Sequence, residues 1–143
     1  MKTVEQIIDE KGRDVWAVAS DDSVYVALEL MAERNIGAVL VLEDGRPTGI
    51  LSERDYARKI VLDDRASRDT PARDIMTADP VCVRGDQTID ECMALMTAKR
   101  FRHLPVVRDD QVVGMLSIGD VVKAIISERE FVIQQLENYI SGQ

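Results

Sequence analysis

Apolar residues recur along this chain in two alternating rhythms. At Val24, Ala27, Leu28 and Met31, and again at Ile89, Cys92, Met93 and Met96, they fall at i, i+3, i+4 and i+7, one face of a helix. Each helical stretch follows a short apolar run, VWAV (15–18) or VCV (81–83). Each also follows a polar start, Asp21-Asp22-Ser23 or Asp86-Gln87-Thr88, of the kind that opens helices. Beyond each helix come a strand-like run (IGAVLVLE, 36–43; HLPVVR, 103–108), a turn (EDGRP; RDDQ) and a second strand (TGILS; VGMLS). A further helix then starts at a Ser. The pattern predicts a β-α-β-β-α unit of about 45 residues, present twice.

The two copies align without a gap at an offset of 65. Val18 meets Val83, Leu30 meets Leu95, Met31 meets Met96, Val41 meets Val106 and Ile60 meets Ile125; GILSERD (49–55) meets GMLSIGD (114–120). One copy is too small to bury its own sheet well, so the two are expected to pack together. The expected organisation is a first unit at 1–62, a polar surface linker at 63–74 containing Pro71, a second unit at 75–127 and a helical extension at 128–143. Ile118, Val121, Val122, Ile125, Val132, Leu136, Tyr139 and Ile140 keep helical spacing up to a stop at Gly142. A helix from 119 would run about 33 Å. Its last turns extend past the repeat, so Phe131, Val132, Leu136 and Tyr139 need a partner, from the first helix or a second chain. The fold class expected is α/β, two packed units with an extended C-terminal helix.

Composition narrows the function. Hydrophobic residues are 45% and charged residues 31%, ordinary for a globular domain of 143 residues. A net charge of −8, from 26 acidic and 18 basic residues, argues against nucleic acid and anionic lipid as partners. The start MKTVEQIIDE has no signal-like apolar region, and no run approaches the roughly 20 residues of a membrane helix. Cys82 and Cys92 read as small buried apolar residues in a reducing, cytoplasmic compartment. With one His and no nucleophile or metal spacing, nothing argues for an enzyme.

The repeated Ser-x-x-Asp has two readings. As a capping box, Ser52/Asp55 and Ser117/Asp120 would close a helix start by taking its free N–H groups. The same geometry also suits a nucleotide. A helix start directs N–H groups and a positive dipole end at phosphate. The Ser adds a donor, and an Asp one turn in can accept the hydroxyls of a ribose.

A duplicated β-α-β-β-α unit closing in G-h-h-S-x-x-D resembles a pair of CBS domains, a Bateman module. RFRHLPVVRDDQVVGMLSIGDVVKAI carries the likeness in the second copy, RNIGAVLVLEDGRPTGILSERDYARKI in the first, and ARDIMTADPVCV looks like the usual approach to a second unit. The chain is similar to stand-alone single-pair proteins of bacteria and plant mitochondria. The resemblance implies a regulatory, energy- or redox-sensing module that binds an adenine nucleotide or related ligand (AMP, ADP, ATP, NAD or S-adenosylmethionine) in the clefts between units. It also implies a flat homodimer and a regulated partner protein. Asp120 and Asp55 would hold ribose, and Ser117 and Ser52 would face phosphate. Arg102-His103 resembles a phosphate-binding pair of the regulatory subunit of AMP-activated protein kinase. The matching Gly37-Ala38 would form an adenine wall, with Arg54 as the first copy's substitute cation. The alternative is a ligand-independent dimeric scaffold with vestigial clefts.

Overall fold

A computed structural model describes residues 1–142. The elements are α1 (Val4–Lys11), β1 (Ala17–Ala19), α2 (Val24–Arg34), β2 (Ala38–Glu43), β3 (Arg46–Ser52), α3 (Glu53–Tyr56), β4 (Thr77–Ala78), α4 (Ile89–Lys99), β5 (His103–Arg108), β6 (Gln111–Ser117) and α5 (Ile118–Ser141). A π-helical turn, Ala57–Val61, follows α3. The α/β class expected from the sequence is the class found, and α5 is the extended C-terminal helix. The chain forms two compact units. One is Asp14–Val81 with Arg108–Val113; the other is Met1–Arg13, Cys82–Val107 and the chain from Gly114 onward.

In the first-repeat unit the strand order is β1-β2-β3-β4. β1 runs parallel to β2, and β2 pairs antiparallel with β3, with Val39 opposite Leu51. Asp44 and Gly45, at φ 53° and 77°, make the two-residue turn between them, whose backbone twist suits paired strands. Ala38, Val39, Leu40 and Val41 are all buried. That explains why this stretch reads as a continuous apolar run rather than an alternating one. Ser23 caps α2, its hydroxyl accepting from the Val26 N–H. The core joins Val18, Val24, Ala27, Met31, Val39, Val41, Leu51 and Ile60.

The second-repeat unit buries the positions 65 further on: Val83, Ile89, Cys92, Met96, Leu104, Val106 and Leu116. One strand is weaker. In the first copy the Leu40 N–H donates to the Trp16 carbonyl, which helps hold β1 beside β2. The matching residue is Pro105, which has no N–H to give. The expected VCV strand therefore shrinks to an isolated parallel bridge, Val83 to Val106.

The segments that lead into the repeats are exchanged. The Val24 N–H, at the start of α2, donates to the Thr70 carbonyl at 2.8 Å. The Ile89 N–H, at the start of α4, donates to Lys2 at 3.1 Å. Thus 2–8 completes the second repeat and 70–76 completes the first. Ile8 is fully buried in one unit and Ile75 in the other. The repeated Gly of the G-x-L-S phrase belongs to this arrangement. A Cβ on Gly114 would stand 2.8 Å from Ile8 Cδ1, and one on Gly49 would collide with Met76 Sδ. The stretch read as a surface linker at 63–74 follows the surface only to Asp69; Thr70 and Ala72 are buried, because they are part of the first repeat's packing.

Among the described residues no helix is long and apolar enough to cross a membrane. Along α5 the outward apolar face stays exposed, with Phe131 at 65% and Tyr139 at 84% of full accessibility.

Candidate functional site

Both Ser-x-x-Asp motifs form complete capping boxes. At the start of α5, Asp120 N–H donates to Ser117 Oγ at 3.2 Å, while Ser117 N–H and Oγ–H donate to Asp120 Oδ2 at 2.8 and 2.9 Å. At the start of α3 the same three bonds join Ser52 and Asp55 at 3.0–3.1 Å. The next donor is also taken in both copies. Ile118 N–H gives to the Arg102 carbonyl at 2.8 Å, and Glu53 N–H to the Gly37 carbonyl at 3.0 Å. Each hydroxyl thus donates to carboxylate and accepts from backbone, leaving it a lone pair but no spare hydrogen for a phosphate oxygen.

The carboxylates differ between copies. Asp55 is 13% exposed, and its Oδ1 faces the Lys59 ammonium at 3.4 Å. Asp120 is 25% exposed, and its Lys11 partner sits instead on Oδ2 at 2.5 Å. Lys11 also donates to the Met115 carbonyl at 2.7 Å, while Lys59 donates to the Ile75 carbonyl at 2.9 Å. Asp120 Oδ2 therefore receives three donors, and among the described residues none reaches Oδ1. Burial by itself would raise the Asp120 carboxyl, but the Lys11 bond, the Ser117 donors and the lysine's charge outweigh it and hold it below the ordinary carboxylate value.

Arg102 is exposed at the lead into β5, and among the described residues no carboxylate pairs with it; His103 is half-buried. Burial first, then the positive charges of Lys11 and Arg102, lower the His103 pKa against the opposing pull of Asp120. His103 thus feels Lys11, Asp120 and Arg102, all of which belong to the second-repeat unit. In the first copy, Arg54 is exposed and Ala38 is only 6% exposed, while a Cβ on Gly37 would lie 3.4 Å from Glu53 Oε1. The sequence reading missed both lysines. Lys59 stands four residues after Asp55 and was findable on a helix; Lys11 is 109 residues from Asp120. Neither cysteine is in a disulfide, and burial raises their pKa, that of Cys92 to about 11, so they persist as thiols at neutral pH.

These shifts fix an acid-side expectation. A His with a lowered folded pKa gives stability that is complete above its unfolded value, 6.5, and falls as pH drops through its folded value. Asp120 adds a second loss below 3.8. Urea midpoints should therefore fall between pH 7 and pH 5 in the parent. They should fall less in His103→Gln, and equal slopes would show that His103 does not carry the effect.

Two capped carboxylates, each fixed at a helix start, close the two copies of a repeated α/β unit. The chain belongs to the CBS domain family, which matches residues 4–62 and 72–127. It is 38% identical over 150 residues to the mitochondrial CBS domain-containing protein CBSX3 of Arabidopsis thaliana, across 98% of this chain and 72% of that one. A solved structure from Burkholderia ambifaria MC40-6, of a candidate signal-transduction protein with CBS domains, is 48% identical. It superposes at a TM-score of 0.83 over 88% of this chain and 95% of its own. CBS domain protein PAE2072 of Pyrobaculum aerophilum, solved in complex with AMP, shares the fold at 22% identity and a TM-score of 0.74, over 82% of this chain and 88% of its own.

Proposed function

We propose that this CBS pair is a non-enzymatic regulatory module that binds an adenosine-containing ligand, AMP, ADP, ATP or NAD, at the Asp120 end of its second-repeat unit. Binding there would alter a partner protein. The observation that carries the reading is Asp120 Oδ1, which accepts from nothing among the described residues, in a unit that also carries Arg102 and a His103 that feels Asp120. A carboxylate oxygen open to a ribose hydroxyl, beside cations suited to phosphate, matches a nucleotide group for group. AMP on a distant relative of the same fold supports the class of ligand. The first copy is the weaker candidate, because Lys59 already faces Asp55 Oδ1. We place the protein in the cytoplasm, where cysteines outside disulfides are stable.

A thermal-shift panel of adenine compounds tests this. AMP at a hundredfold excess over its dissociation constant stabilises by about 2.7 kcal/mol. Arg102→Ala should weaken AMP about tenfold or more, equivalent to 1.4 kcal/mol, while leaving adenosine nearly unchanged. No shift with any adenine compound at millimolar concentration would remove the ligand reading. The second reading, a dimeric scaffold, would then stand on the exposed α5 face, where Phe131, Val132, Leu136 and Tyr139 remain uncovered. A homodimer is compatible with both.

A further inference from the structure

We propose that Lys11 sets the ligand preference of the second-repeat site, favouring phosphorylated over unphosphorylated nucleosides by neutralising Asp120 through their 2.5 Å ion pair. The inference rests on Asp120 holding a ribose.

A bare carboxylate is the better acceptor for sugar hydroxyls but repels a phosphate a few ångströms away. A carboxylate bonded to an ammonium accepts less strongly and no longer repels. Lys11 is fixed in this role on two sides, by Asp120 Oδ2 and by the Met115 carbonyl at 2.7 Å. Its side chain is 32% exposed and that of Asp120 is 25% exposed, so solvent screens the pair only in part.

The first repeat shows that the pairing is a built feature. There the lysine is Lys59, four residues after Asp55 and likewise bonded to a backbone carbonyl. The position matching Lys59 is Ala124, which has no ammonium to offer. The second repeat thus takes its lysine from α1, the exchanged lead-in segment. The two lysines reach their carboxylates by different routes and produce the same neutral pair. They differ at the carboxylate itself, since Lys59 faces the oxygen that Lys11 leaves open.

Titration calorimetry of AMP and adenosine against the parent, Lys11→Met and Lys11→Arg tests the proposal. Lys11→Met should bind adenosine at least as well as the parent, and its AMP-to-adenosine preference should fall about tenfold or more. Lys11→Arg, keeping the charge, should retain most of the parent's preference. A purely structural lysine would weaken both ligands in parallel and leave the ratio unchanged, which overturns the proposal while the nucleotide reading survives. Binding of adenosine by Lys11→Met alone would support it. If neither ligand binds the parent or either variant, the nucleotide reading falls and this inference falls with it.

Discussion

Replacing Ile8 by alanine should destabilise the second repeat by about 2–5 kcal/mol, the usual cost of truncating a buried isoleucine. Ile8 lies near the N-terminus, but its side chain is fully buried, and its Cδ1 lies against Gly114 in the unit built largely from 82–107 and the chain after Gly114. The loss should therefore appear far along the sequence. Hydrogen exchange should accelerate at Val83, Leu104, Val106 and Leu116 and remain nearly unchanged at Val18, Val39 and Leu51. Acceleration confined to residues 4–17 would mean that α1 only rests on the unit and does not complete its core. Ile75→Ala is the mirror experiment, with the first repeat affected.

The second large effect concerns Asp120. Asp120→Asn should weaken adenosine roughly 10–150-fold, because hydrogen bonds to charged groups contribute about 1.5–3 kcal/mol. Adenosine is the right probe, since it offers no phosphate for the released Lys11 ammonium to attract. Asparagine keeps a side-chain oxygen for the Ser117 N–H but gives up the Lys11 ion pair, so the melting temperature should fall only modestly. Ser117→Ala should behave in the opposite way. It removes the hydroxyl that accepts from Asp120 N–H and should cost about 0.5–2 kcal/mol of stability. Its affinity should change little, because Oδ1 is untouched. If Asp120→Asn lowers stability and leaves adenosine binding intact, the carboxylate serves α5 alone.

Much of this was legible in the sequence for a specific reason. Burial depends on helical and strand period, and the offset of 65 repeats both, so Val18, Met31, Val39 and Leu51 identify their counterparts in the second core. The cap was legible because its partners are three residues apart. Pairing across long separations was not. Val4, Ile7 and Ile8 run parallel to Ala72, Ile75 and Met76, but at a different offset from the rest, and nothing in either segment says which repeat it completes. Lys11 was hidden for the same reason: only the exchange brings α1 beside α5. Pro105 was visible as a residue, but its effect appears only once its partner strand is known.

The exchanged lead-in segment also bears on how the protein is made. Lys2 and Val4 leave the ribosome well before their bonding partners, Ile89 and Gln87. At about 5–20 residues per second, those partners emerge several seconds later, and Leu116 and Val121 later still. During that interval Val4, Ile7 and Ile8 have no apolar surface of their own unit to cover them. An eight-residue α1 is also too short to hold its helix unaided. The first repeat waits less, because 70–76 follows its strands directly. The whole of Asp14–Val81 is thus synthesised before Gln87 and Ile89 become available to the 2–8 segment.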